Sequence, residues 1–149
     1  MCTLFADGAC QPNPGTGGWA YVLKCSDGNE ISCFGVEENT TNNRMELRSV
    51  IEGVYRFKHE CSIHSKLTLI LDSKYVLDGI STWSKNWVKQ GWVKKDGKPV
   101  LNDDLWKELI FLTDGLNIEF KHVKGHSGHH ENERCDKMAT TAVKNFKKE

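Results

Sequence analysis

The feature that most constrains this chain is a change of hydrophobic period near residue 43. Ahead of it the pattern is that of strands and tight turns. Residues 2–6 form an apolar run closed by Asp7-Gly8, and residues 12–18 are dense in turn formers. Trp19–Cys25 reads as a strand, Asp27-Gly28 as a two-residue hairpin signal and Ile31–Val36 as the partner strand. Beyond it, Leu47, Val50, Ile51, Val54 and Phe57 recur at three- and four-residue steps, the spacing of one helical face. A β meander followed by an amphipathic helix must bury the helix on the sheet.

The rest of the chain extends that plan. Lys66–Leu71 is a branched apolar strand ending at Asp72, and Ser73–Ile80 is helical. Residues 103–114 carry Leu105, Leu109 and Leu112 on one face, with Asn102 or Asp103 as the cap. Ile118–Val123 is a further strand, 125–130 a Gly/His loop, and a last helix runs from about 134. The order βββαβαβα predicts an α/β (mixed α+β) fold. No Pro/Gly-rich linker divides the chain, so residues 1–149 are expected to form a single domain.

Composition sets the limits. The 149 residues are 38% hydrophobic and 27% charged, which excludes a disordered chain. Lys plus Arg equals Asp plus Glu at 20 each, a balance that argues mildly against a nucleic-acid binder. No apolar run of about 18 residues is available to span a membrane. The N-terminus lacks a basic start and an apolar core, so a cytoplasmic protein is expected, with a monomer as the default. The six cysteines form no C-x-x-C pair. Zinc ribbons are therefore disfavoured, and the thiols are expected to be reduced.

Four acids fall at element ends. Asp7 closes the first strand, Glu46 sits in the first turns of the first long helix, Asp72 closes the later strand and Asp136 begins the last helix. If the strands ending at Asp7 and Asp72 are neighbours, their carboxylates lie side by side. Clustered carboxylates repel, and a hard divalent cation relieves them: Mg²⁺, or Mn²⁺. Two such ions about 4 Å apart clamp the attacking and leaving oxygens of a phosphodiester. Taken singly, each acid is more simply a cap or a dipole partner.

Together the motifs are similar to those of type 1 ribonuclease H of the bacterial kind. Phe5-Ala6-Asp7-Gly8-Ala9-Cys10 with Asn13-Pro14-Gly15 resembles the family's first block, and Thr40–Leu47 its second. Leu71–Val76 resembles the third, and Val123–Gly128 with Asn132–Asp136 the fourth. Trp83, Asn86-Trp87, Gly91-Trp92, Lys98-Pro99-Val100 and Asp104-Leu105-Trp106 follow the pattern between them. The resemblance covers nearly the whole chain. It implies a five-stranded mixed sheet with helices on both faces, and cleavage of the RNA strand of RNA–DNA hybrids to 5′-phosphate and 3′-hydroxyl ends. It also implies Asp7, Glu46, Asp72 and Asp136 as catalytic ligands of two Mg²⁺ ions, and His126 for proton transfer or product departure. An unperturbed imidazole pKa near 6.5 suits that last role.

Telling RNA from DNA requires contact with 2′-hydroxyls in a wide minor groove. Cys10, Asn13, Asn42 and Asn43 flank the acids and are the candidates, with Gln11 beside them. Thr41 and Asn13 are candidates for a DNA-strand phosphate, and Asn132 and Trp87 for further substrate contacts. Residues 81–99 hold three Trp and five Lys against one acid. The segment corresponds to the family's basic protrusion and suits phosphate tracking. Lys85, Lys89, Lys94 and Lys95 are expected to face the DNA backbone, and Trp83 to enter the core.

Lys74 and His130 depart from the bacterial pattern, which has Gln and Pro there. A cation at 74 suits phosphate better than a base edge. Two rivals remain: a noncatalytic hybrid-binding module, whose mark is loss of an acid, and an integrase-like DNA nuclease. All four acids are present, and the Lys- and Trp-rich segment disfavours the second.

Overall fold

The computed structural model describes residues 1–61, 65–123 and 130–148. Three antiparallel strands open the chain: β1 (Cys2–Cys10), β2 (Gly15–Cys25) and β3 (Glu30–Thr40). After α1 (Asn42–Glu60), β4 (Leu67–Leu71) adds parallel to β1, and β5 (Ile118–His122) adds parallel to β4. The sheet order is β3-β2-β1-β4-β5. Between β4 and β5 run α2 (Lys74–Asp78), a π-helical stretch at Gly79–Trp83, α3 (Ser84–Lys89) and α4 (Asp103–Thr113). The chain closes with α5 (His130–Lys148).

The period-2 pattern of the central strands divides the core into two layers. Leu4, Ala6, Tyr21 and Leu23 point to the face carrying α1 and α4, where Leu47, Val50, Val54, Phe57, Trp106 and Leu109 meet them. Phe5, Ala20 and Val22 point to the other face and meet Cys135 and Ala139 of α5. Helices therefore cover both faces, as expected.

Two glycines set how closely those helices approach. A Cβ on Gly8 would stand 2.3 Å from the Met45 carbonyl carbon and 2.4 Å from the Glu46 nitrogen. A Cβ on Gly18 would stand 2.5 Å from the Ala139 carbonyl oxygen. Hydrogen at these positions lets helix backbone lie directly on the sheet, one glycine for each face. Gly8 thus brings Glu46 down beside Asp7.

Three expectations are corrected. The last helix begins at His130 rather than near 134, because its polar opening carries Glu131 and Glu133, acids that suit the positive end of a helix. Asp136 therefore lies in its second turn and does not begin it. Trp83 is not core but 37% exposed. Trp106 takes the buried place, and Trp83 rests on Tyr75 and Trp87. Finally, Cys2 and Cys25, expected as free thiols, are paired across β1 and β2 as a disulfide. Their separation of 23 residues hides the pairing in the sequence.

Candidate active site

Asp7, expected to close the first strand, lies inside β1, which continues to Cys10, whereas Asp72 directly follows β4; the topology still makes them neighbours. Phe5 pairs with Ile70 in the parallel β1–β4 ladder, and carrying that register two residues on sets Asp7 opposite Asp72. Glu46 arrives from the second turn of α1 over Gly8. Ligand oxygens of Asp7, Glu46 and Asp72 all lie within 4.8 Å of one another. Asp136 of α5 lines the same open cavity, of about 1170 Å³, and its charge acts on Asp7. The four acids predicted from element ends thus meet in one place.

The site strains against its own charge. Asp7 is 4% exposed and Glu46 is 7% exposed. Burial, and then the Asp72 and Asp136 carboxylates, push the Asp7 pKa up to about 7, although the Gly8 amide donates to Asp7 Oδ1 at 3.0 Å. Glu46 is raised well above the usual carboxylate range by burial and then by Asp7 and Asp72. The two share a hydrogen bond in which Glu46 donates, so the site holds a proton where a cation fits better. Among the described residues Glu46 Oε2 has no hydrogen-bond partner although it is buried, an acceptor left for a ligand. An all-carboxylate donor set with an orphaned oxygen fits a hard divalent ion.

The surrounding candidates divide by exposure. Asn13 and Asn42 line the cavity, and Asn13 Oδ1 accepts from the Asn42 amide at 3.2 Å, tying the Pro-rich turn to the start of α1. Cys10 also lines it, but it is 4% exposed and its thiol faces the Pro12 and Thr40 carbonyls. Thr41 caps α1, its hydroxyl accepting from the Arg44 amide at 3.2 Å. Asn43 is exposed beside it and is not part of the cavity lining. Asn132 is 7% exposed; its amide nitrogen donates to the Ile70 carbonyl at 3.5 Å and links α5 to β4, while its Oδ1 has no hydrogen-bond partner among the described residues. His126 and Ser127 lie outside the described residues.

Lys74, Lys85, Lys89, Lys94 and Lys95 are all exposed. Residues 84–99 form a short helix and a turn closed by the Val93–Pro99 bridge. Trp87 is half-buried, its ring centroid 5.2 Å from that of Trp106 and 6.0 Å from that of Trp92. Tyr75 joins the same cluster, its hydroxyl accepting from Trp106 Nε1 at 3.0 Å. The aromatic face anchors the arm while the lysines stay in solvent.

The chain belongs to the RNase H family. The family model described as RNase H matches residues 1–144. A ribonuclease H of Pseudomonas fluorescens is 46% identical over 140 residues, covering 94% of this chain and 90% of its own length. A ribonuclease HI of Neisseria meningitidis is 43% identical over 143 residues, covering 96% and 95%. Among solved structures, LC9-RNase H1, a type 1 RNase H with the type 2 active-site motif, superposes with a TM-score of 0.84 at 30% identity, covering 97% of this chain and 72% of its own. LC11-RNase H1, solved in complex with an RNA/DNA hybrid, superposes with a TM-score of 0.73 at 19% identity, covering 98% and 99%, and attests the fold. As a bacterial-type type 1 RNase H, the chain is a ribonuclease.

Sequence reading missed part of the cavity wall. Thr140, Val143, Lys144 and Lys147 continue from Asp136 along one face of α5 and line the cavity with Gln11. Lys147 Nζ donates to the Gln11 carbonyl at 3.2 Å. Counting i+4, i+7, i+8 and i+11 from Asp136 is the signal that finds these residues.

Proposed function

We propose that this RNase H hydrolyses the RNA strand of RNA–DNA hybrids at the four-acid cavity, leaving 5′-phosphate and 3′-hydroxyl ends. The observation that carries the reading is the convergence of Asp7, Glu46 and Asp72 within 4.8 Å, with Asp136 on the same cavity. These acids would hold two Mg²⁺ ions, with Mn²⁺ as a substitute. Such ions supply water activation and stabilisation of the leaving oxygen in phosphodiester hydrolysis.

The chain's own groups do the rest. The carboxylates concentrate negative charge where the scissile phosphate must come, so phosphate approach waits on cation binding. Asn13 and Asn42 offer short amide groups at the cavity lip for 2′-hydroxyls. Cys10 serves there through its backbone rather than its buried thiol. Thr41 and Asn43 at the start of α1, and Lys74 at the start of α2 just after Asp72, would meet a strand leaving the cavity. Lys144 and Lys147 line the same cavity farther along α5 than Asp136 and neutralise phosphates on that side. Lys85, Lys89, Lys94 and Lys95 grip the DNA backbone at a distance, with Trp87 as their anchor. His126 takes proton transfer or product departure. Among the described residues no helix is long and apolar enough to cross a membrane. A monomer in the cytoplasm is proposed.

A labelled-substrate assay tests this directly. Hybrid, double-stranded RNA and double-stranded DNA are each incubated with and without Mg²⁺. Only the RNA of the hybrid should be cut, and only with Mg²⁺. Cutting of double-stranded DNA, or of the hybrid under chelation, would overturn the proposal. Intact hybrid with tight binding would favour the noncatalytic module.

A further inference from the structure

β1 begins at a second cluster of ligating atoms, about 17 Å from the first at some 3.3 Å per residue. Cys2 opens β1, Cys25 closes β2 opposite it, and Cys61 caps the C-terminus of α1. Cys61 Sγ lies 3.3 Å from Cys25 Sγ and 3.6 Å from Cys2 Sγ. All three cysteines line one cavity of about 440 Å³, together with Met1, Asp27 and Glu60. Three separate elements thus bring three sulfurs together, at sequence separations of 23 and 36 that no short motif reveals.

We propose that, in its thiol form, the Cys2–Cys25–Cys61 triad is a binding site for one thiophilic divalent cation of the Zn²⁺ class.

Two arguments support a metal ligand set over a thiol–disulfide relay. A thiolate attacking a disulfide must approach along the S–S axis, close to one sulfur and about 2 Å farther from the other. Cys61 is nearly equidistant from both, so it stands beside the bond. Tetrahedral Zn²⁺ at about 2.3 Å from each sulfur sets sulfurs about 3.8 Å apart. The two Cys61 spacings already approach that value, and opening the Cys2–Cys25 bond frees the third sulfur toward it. Asp27 faces the same cavity, its carboxylate held by Asn29, so a carboxylate or water is at hand for the fourth position.

The chemistry balances in two steps. A phosphine reductant takes the disulfide to two thiols, water supplying both protons and the oxygen that makes the phosphine oxide. Three thiols and one Zn²⁺ then give a tris-thiolate complex of net charge −1 and release three protons. Cys33, exposed on β3, is outside the cluster.

The test uses the full chain after phosphine reduction, titrated with Co²⁺ and then Zn²⁺ in excess Mg²⁺. Wild type should bind one Co²⁺ with sulfur-to-cobalt charge-transfer absorption, which Zn²⁺ bleaches with release of about three protons. C61S should weaken Zn²⁺ binding by about 100-fold or more, since even an outer-sphere partner is worth 10–100-fold. C33S should match wild type. If C61S does not fold, C25S carries the same expectation. Equal Zn²⁺ affinity in wild type and C61S, absence of the charge-transfer band, or loss of circular dichroism on reduction would each overturn the proposal.

Discussion

The acid cavity and the lysine arm are built on opposite principles. The cavity gathers Asp7, Glu46, Asp72 and Asp136 from four elements, buries two of them and holds like charges together. The arm draws its charge from one contiguous segment and leaves every named lysine in solvent. One region stores repulsion that a cation relieves; the other projects a field that screening weakens. The zero net charge of the chain is the sum of these two, which is why it says nothing against a nucleic-acid substrate.

The largest effect that separates them is chemical. Asp7→Asn keeps the shape of the cavity and removes its central charge. Cleavage of hybrid in Mg²⁺ should fall about 10³-fold or more, the scale of losing one element of a preorganised site. Hybrid binding should stay within about threefold of wild type, because the arm supplies most of the phosphate contact. Retained cleavage would remove the acids from the mechanism; lost binding would mean that the two regions are not separable.

The second effect is on stability, and its sign is unusual for a carboxylate. The folded pKa of Asp7, about 7, lies above the unfolded value near 3.9. Between those values the unfolded chain gives up a proton that the folded chain keeps. On account of Asp7, metal-free protein should therefore lose stability as pH rises from about 4 to about 7. Glu46, shifted in the same direction, adds to the loss. At pH 8 without metal, Asp7→Asn should be more stable than wild type by an amount on the order of 2–4 kcal/mol, and so melt at a higher temperature. Mg²⁺ should stabilise wild type and shrink that gap. Thermal melts at pH 5 and pH 8, with and without Mg²⁺, check both halves; a wild type more stable at pH 8 than at pH 5 in chelator would contradict them.

What the sequence made legible follows the same division. A contiguous feature such as residues 81–99 needs no fold to be read. Asp72 was readable as a strand end, and Asp7 was read as one although β1 runs on to Cys10; their adjacency depended on β4 joining β1, which spacing alone does not state. Gly8 reads as half of a turn signal, whereas its role is to let the backbone at Met45 and Glu46 lie on β1. Trp83 and Trp106 are alike in one dimension; only the packing of Tyr75, Trp87 and Trp92 decides which is buried. Lys144 and Lys147 were missed because the last helix was read for its apolar face and not for the face it shares with Asp136. The Cys2–Cys25 pair and its neighbour Cys61 depend on register and a helix end, long-range facts that composition cannot carry.

The third effect belongs to the arm. Replacing Lys85, Lys89, Lys94 and Lys95 by Ala should weaken hybrid binding about 10–50-fold at moderate salt. The slope of log K against log salt should fall by about 0.9 for each phosphate contact removed. At saturating hybrid the turnover should change little, since none of the four lines the cavity. An unchanged salt slope would assign these lysines to solvation alone.

The smallest effect sharpens the boundary between the regions, because Lys144 and Lys147 are cationic like the arm yet line the acid cavity. Lys147 is held by the Gln11 carbonyl at 3.2 Å, on the turn that Asn13 ties to α1. If these lysines act only as phosphate attractors, Lys144→Ala with Lys147→Ala should raise KM about threefold, lower the salt slope by one or two contacts and spare kcat. If they instead position the strand over the acids, kcat should fall with kcat/KM, and Lys→Arg, which keeps the charge but not the shape, should not restore it. The split between KM and kcat thus decides whether the cavity wall belongs with the arm, as a field, or with the acids, as geometry. Exposure of both side chains and their distance along α5 from Asp136 favour the field, so a KM effect is the expected outcome.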